Sequence, residues 1–225
     1  MPAGPSRRPG PRFDLGPLWM AIAAGDPQGT PDGGSAGGPD ADALAQVQAL
    51  VALAQQGDQD AFGRLYERYV DVVYRYVYVR VGSVHVAQDI TSETFIKAMR
   101  GIGSYQWQGK DIAAWFVTIA RNLVNDNARS ARFRMEVTTA DMLDADQAVD
   151  APDGQVLDRL RDERLLAAVK SLKAEQQECI VLRFMDGLSL AETATVMGKK
   201  ENAVKQLQLR AVRALQRALE GEDLR

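Results

Sequence analysis

The sequence predicts an all-α protein in which two helical domains are joined by a flexible acidic linker and preceded by a disordered N-terminal tail. Three observations carry that expectation. From Ala43 onward apolar residues recur at three- and four-residue steps, the period of a helix with one buried face. Eight of the nine prolines lie before residue 43. Between Arg134 and Arg159 there is no basic residue, only Glu136, Asp141, Asp144, Asp146, Asp150, Asp153 and Asp158. The expected boundaries are 1–42 for the tail, 43–133 for the first domain, 134–156 for the linker and 157–225 for the second domain.

Taken in order, residues 1–42 carry Gly/Pro tracts such as Gly33-Gly34-Ser35-Ala36-Gly37-Gly38-Pro39, a composition that cannot supply a core. The apolar patch Leu18–Ala24 follows Arg7, Arg8 and Arg12 as in a secretory signal, but it is short and bounded by Pro17 and Gly25. It is assigned to the tail. Leu44, Val47, Leu50, Val51 and Ala54 then share one helical face, ended by Gly57. Asp58 can cap a longer helix, whose stripe is Phe62, Leu65, Tyr66, Tyr69, Val72, Val73 and Tyr76 and which ends near Gly82. Ser83 can cap the next, with Val86, Ile90, Phe95 and Met99 expected inward and Asp89, Ser92, Glu93 and Lys97 outward.

The loop Gly101–Lys110 combines glycines with Tyr105, Trp107 and amide side chains. In the helix expected from Asp111 to about Ser130, Trp115, Ile119, Leu123 and Val124 point inward, and Arg121, Asn122, Asn125, Asp126 and Arg129 outward. Rings that stack on unpaired bases, beside cations that hold phosphates, are what single-stranded DNA recognition requires. The same rings could equally cover the helical core. After the linker, helices over 156–171 and 174–185 lead to the stretch Leu188–Leu219.

That stretch reads as a helix-turn-helix. Ser189 and Glu192 have capping-box spacing, and Gly198 suits the left-handed residue at a helix C-terminus. Leu190, Thr193, Ala194 and Met197 face a core in the first helix; Val204, Leu207, Ala211, Leu215 and Ala218 do so in the second. The opposite stripe holds Asn202, Lys205, Gln206, Leu209, Arg210 and Arg213, with Lys200 just before it. Amides bond base edges, Arg and Lys bond guanine or phosphate, and leucine suits a thymine methyl. A basic helix that is merely solvated would show similar residues.

The chain has 225 residues, is 46% hydrophobic and carries a formal charge of −3. Cys179, the single cysteine, excludes an internal disulfide, fits a reducing cytoplasmic compartment and sits in the apolar run Cys179–Leu182. With one histidine, His85, a metal site of soft ligands is not expected, nor is any cofactor. No apolar run is long enough for a membrane span, so no membrane insertion is expected. Charge is segregated: basic residues crowd the last helix and the 121–134 stretch of an otherwise acidic protein, which predicts weak affinity for naked DNA without a helper.

From Leu44 to Leu219 the chain resembles bacterial alternative sigma factors of the extracytoplasmic-function (ECF) class, most like those of actinomycetes. Three motifs carry the resemblance: Asp89-Ile90-Thr91-Ser92-Glu93-Thr94-Phe95-Ile96-Lys97-Ala98, Ala114-Trp115-Phe116-Val117-Thr118-Ile119-Ala120-Arg121-Asn122-Leu123, and Glu178–Leu219. It implies a sigma-two-like and a sigma-four-like domain, and a function as promoter-specificity subunit of RNA polymerase. The first domain would dock on the clamp helices of the largest core subunit through Asp89, Ser92 and Glu93. It would capture an unpaired base of the minus-ten element near Tyr105, Trp107, Gln108, Lys110, Arg121, Asn122, Asn125 and Arg129. The second would meet the beta flap and read duplex minus-thirty-five DNA through Lys200, Asn202, Lys205, Gln206, Leu209, Arg210 and Arg213. The acidic linker would thread channels that otherwise hold nucleic acid, and an anti-sigma factor is an implied partner.

The chain departs from the family pattern at Ser92, where glutamine is frequent, at Lys200, where a Ser or Thr cap is frequent, and at Lys199, where an apolar residue is frequent. A stand-alone helix-turn-helix regulator leaves the Trp-containing loop without a role. A sigma mimic that sequesters an anti-sigma factor needs no basic groove helix. No enzyme is expected, since nucleophile, base and metal ligands do not cluster in the sequence.

Overall fold

The computed structural model describes residues 15–23, 41–137 and 156–222, and among them every regular element is helical. Most of the expected tail and residues 138–155 of the expected linker lie outside the described residues.

The first domain is built from four helices: α2 (Ala41–Gln55), α3 (Gln59–Val81), α4 (Val84–Gly101) and α5 (Ala113–Val137). Their ends follow local chemistry. The Asp58 carboxylate accepts from Ala61 N at 3.0 Å, and Gly82 closes α3 in the left-handed region at φ 73°. Ser83 Oγ caps α4 through Val86 N. Asp111 does not begin a helix; its carboxylate accepts from Ala113 N at 2.8 Å, and α5 starts at Ala113. The core between α3, α4 and α5 is aromatic, with ring centroids of Phe116 5.1 Å from Phe95 and 5.4 Å from Tyr69.

Two face assignments shift by about one position. Met99, expected inward, is 53% exposed, because the buried stripe of α4 is Ala87, Ile90, Thr91, Thr94, Phe95 and Ala98. In α5 the buried stripe runs through Phe116, Val117, Ala120, Leu123 and Val124, which leaves Trp115 and Ile119 half-buried. Two threonines share the buried stripe of α4: Thr94 returns its hydroxyl to Ile90 O at 2.7 Å, whereas the Thr91 hydroxyl is buried without a hydrogen-bond partner among the described residues.

The second domain comprises α6 (Val156–Ser171), α7 (Ala174–Ile180), a π-type turn over Val181–Met185, α8 (Leu190–Met197) and α9 (Glu201–Glu222). It is packed on the first domain, and the buried apolar residues of the two form one contiguous core.

Part of the expected tail is structured. Gly16–Ala23 forms a helix, α1, with Leu18, Ala21 and Ile22 buried against α9 and the Val181–Met185 turn. Gln216 Nε2 donates to Ile22 O at 2.8 Å. Composition averaged over 42 residues hid this element: its partner is the last helix of the chain, so no local signal marks the docking.

Candidate nucleic-acid interface

The helix-turn-helix is made by its own caps. Ser189 Oγ accepts from Glu192 N while a Glu192 carboxylate oxygen accepts from Ser189 N at 2.8 Å, a complete capping box at the start of α8. Gly198 then turns the chain at φ 62°, and Lys199 N bonds back to Ala194 O at 2.9 Å. Beneath the corner lies a cation that the sequence reading passed over. Arg183 is buried, donating from Nε to Gln208 Oε1 at 3.1 Å and from a terminal nitrogen to Leu188 O at 2.5 Å. It ties the π-type turn, the α8 entry and α9 together. Gln208, within the recognition helix, is therefore inward and 4% exposed.

With α9 seated in this way, Val204, Ala211, Val212 and Leu215 are buried and Leu207 and Ala218 half-buried. Asn202, Lys205, Gln206, Arg210 and Arg213 are all exposed on the other side, Leu209 is half-buried beside them, and Lys200 is exposed at the helix start. Lys199 is drawn away from that face to Glu175 on α7, at 2.7 Å.

In the first domain, Gln55 at the end of α2 fixes the aromatic loop. Its Nε2 donates to Tyr105 O at 2.6 Å and Ile102 O at 3.1 Å. Sequence reasoning missed this residue, whose only signal was an amide at a helix C-terminus. The Tyr105 ring lies 5.0 Å from that of Trp115, and Tyr105 and Trp107 are both half-buried against the core. Burial, and then the charge of Asp111, raises the Tyr105 hydroxyl pKa. The rings thus pack against the core and stay partly accessible, while Gln108 and Lys110 stand exposed next to them. On α5, Asn122 and Arg129 are exposed and Asn125 half-buried.

Arg121 is placed differently from its neighbours. Its Nε donates to Glu178 of α7 at 2.7 Å, across the domain boundary. The same carboxylate oxygen accepts from the Tyr76 hydroxyl at 2.9 Å, and burial, followed by the Glu178 charge, pushes that hydroxyl well above its ordinary pKa. On α4, Asp89, Ser92 and Glu93 form an exposed face continued by Ile96 and Met99. The two groups expected to touch DNA come close together at one point. Lys110 lines the same open cleft as Thr195, Lys200 and Asn202.

Among the described residues no group of three or more His, Cys, Asp or Glu side chains could hold a metal ion, and no helix is long and apolar enough to cross a membrane. Burial raises the Cys179 thiol to about 12, so it packs as an apolar group.

A helix-turn-helix with a polar, basic outer stripe, packed on a second helical domain bearing amides, cations and partly exposed aromatic rings, defines a two-domain DNA-binding protein. Family models agree on both halves. Residues 65–134 match sigma-70 region 2 and residues 162–215 match sigma-70 region 4. The chain is 57% identical over 175 residues to the ECF RNA polymerase sigma factor BldN of Streptomyces coelicolor, a match covering 78% of this chain and 66% of that relative's length. It is 34% identical to the ECF RNA polymerase sigma factor SigL of Mycobacterium tuberculosis, over 76% of this chain and 96% of the relative. In fold it is similar to the sigma factor RpoE of Bartonella quintana, solved with the anti-sigma factor NepR, with TM-score 0.62, 21% identity, and coverage of 71% and 96% of the two chains. The chain belongs to the ECF family of RNA polymerase sigma factors.

Proposed function

We propose that this sigma factor binds core RNA polymerase, brings it to promoters and helps melt the minus-ten element, without catalysis of its own and in the cytoplasm. The observation that carries the reading is the pairing, in one chain, of two chemically distinct faces. The exposed stripe of α9 has the side chains of duplex base readout; the loop 105–110 with the outer side of α5 has those of single-strand capture.

In this reading Asp89, Ser92 and Glu93 dock on the clamp helices of the polymerase, with Ile96 and Met99 adding apolar area at the edge of that face. Gln206, Arg210 and Lys205 address base edges and phosphates of the minus-thirty-five element, flanked by Lys200, Asn202, Leu209 and Arg213. Tyr105, Trp107, Gln108, Lys110, Arg121, Asn122 and Asn125 surround an unstacked minus-ten base, with Arg129 further along α5. An anti-sigma factor is the proposed antagonist; the sigma factor RpoE of Bartonella quintana is solved with one.

A promoter with a pre-melted minus-ten element tests this division. Arg210→Ala and Gln206→Ala should each weaken recruitment by about 1–3 kcal/mol and relax upstream specificity. Trp107→Ala and Asn122→Ala should instead lower open-complex formation, and pre-melting should partly restore them because mismatched DNA removes the unpairing cost. Equal rescue of both groups would refute the assignment of faces.

A further inference from the structure

Arg121, expected to face the melted promoter strand, is already engaged by an anion of its own chain. The Glu178 side chain is 4% exposed and its Oε1 takes two donors from the other domain, Arg121 and Tyr76. To a guanidinium, a carboxylate and a phosphate are equivalent acceptors. Three further contacts run along the same boundary. Arg80 donates to Ala174 O at 2.8 Å, the Lys170 ammonium lies 4.5 Å from the Tyr78 ring centre, and Arg75 faces the buried Asp186 at 3.5 Å.

This packed arrangement also sets the distance between the DNA faces. Lys110 of one face and Lys200 and Asn202 of the other line a single cleft. Elements centred near positions −10 and −35 are about 25 base pairs apart, or roughly 85 Å of straight duplex at ~3.4 Å per pair. Both faces cannot be occupied while the domains are packed in this way. Separating them would leave Glu178 without its partners inside the interface, so the carboxylate must reach water as Arg121 departs.

We propose that Glu178 is an autoinhibitory carboxylate: it holds Arg121 in the place of a DNA phosphate, latching the two domains together until nucleic acid displaces it. The inference rests on the reading of Arg121 as a minus-ten contact. It makes DNA capture by the first domain and release of the second a single coupled event, in which the same guanidinium exchanges one anion for another.

The test uses the full chain with fluorophores on Glu67→Cys and Glu220→Cys, exposed positions in the two domains; the buried, protonated Cys179 thiol does not compete for label. Glu178→Gln keeps the shape and removes the charge. With circular dichroism unchanged, it should lengthen the inter-label distance and tighten binding of a single-stranded minus-ten oligonucleotide by about 5–10-fold, in the range of ordinary coupling between sites. Tyr76→Phe, which removes one of the two donors and no charge, should move both readouts in the same direction by less. Unchanged distance and unchanged affinity in Glu178→Gln would overturn the latch. Adding Arg121→Gln to Glu178→Gln separates the two levels. Loss of the affinity gain supports the exchange at Arg121, whereas full retention of the gain would show that Arg121 does not hold the strand and would overturn the exchange while leaving the measured opening to report on the latch.

Discussion

Arg183 shows how a single buried cation can organise a DNA-reading motif without touching DNA. Its guanidinium bridges Gln208 and Leu188 in a place where water does not reach, so its loss leaves a buried amide and a buried carbonyl short of partners. Arg183→Met should therefore destabilise the second domain by about 2–4 kcal/mol, visible as an earlier denaturant midpoint, while leaving the exposed stripe of α9 chemically intact. Asp186 behaves in the opposite sense. Its carboxylate is fully buried, faces Arg75 at 3.5 Å without a hydrogen bond, and is pushed up to about 7 by burial against the partial compensation of Arg75. A pKa higher in the folded than in the unfolded state means the folded state holds the proton more tightly, so stability falls as pH rises from about 4 to 7 and levels off above. Asp186→Asn should flatten that slope in thermal melts and stabilise the protein at pH 8 by on the order of 1–3 kcal/mol. Neither role was legible in the sequence. Arg183 and Gln208 are 25 positions apart, and Asp186 reads as an ordinary turn residue before Gly187.

At the scale of elements, what could be read was whatever the chain decides within four residues. The capping box at Ser189, the caps at Asp58 and Ser83, and the left-handed glycines at 82 and 198 are all local contests between a side chain and nearby backbone, and their residue types announce the outcome. Helix α1 is the counterexample. Leu15, Leu18 and Ile22 form a stripe only if a helix is assumed, and eight residues do not stabilise one in isolation. Its stability is borrowed from α9 and the turn before α8. Leu18, fully buried, should carry much of the docking: Leu18→Ala is expected to cost about 2–3 kcal/mol, measured as a lower denaturant midpoint, and deletion of residues 1–40 should lower that midpoint at least as far. An unchanged midpoint in Leu18→Ala would mean that α1 does not act through this contact.

For the whole molecule, fold class and order of domains follow from periodicity and composition, because amphipathic stripes and charge segregation are summed over many residues and survive local errors such as the one-position shift at Met99. The relation between the domains does not follow. Arg121 reads as an outward cation on α5, and nothing along α5 indicates that a carboxylate from α7 will meet it. The candidate site was thus legible as two separate faces and illegible as one packed assembly. A net charge of −3 opposes binding of a polyanion, so the isolated protein should footprint promoter duplex poorly at physiological salt, with core polymerase restoring protection. Strong, sequence-specific footprinting by the protein alone would count against the polymerase-dependent function.

The hydrogen bond from Gln216 to Ile22 spans 194 positions, so it joins segments that leave the ribosome far apart in time. At roughly 5–20 residues per second, α1 emerges about 10–40 s before its partner helix has been synthesised. The first domain is complete once residue 137 has emerged, well within that interval, whereas Leu18 and Ile22 of α1 still lack the α9 face that covers them. Docking of α1 therefore waits for the emergence of α9, and a nascent chain stopped short of α9 carries an uncovered apolar segment.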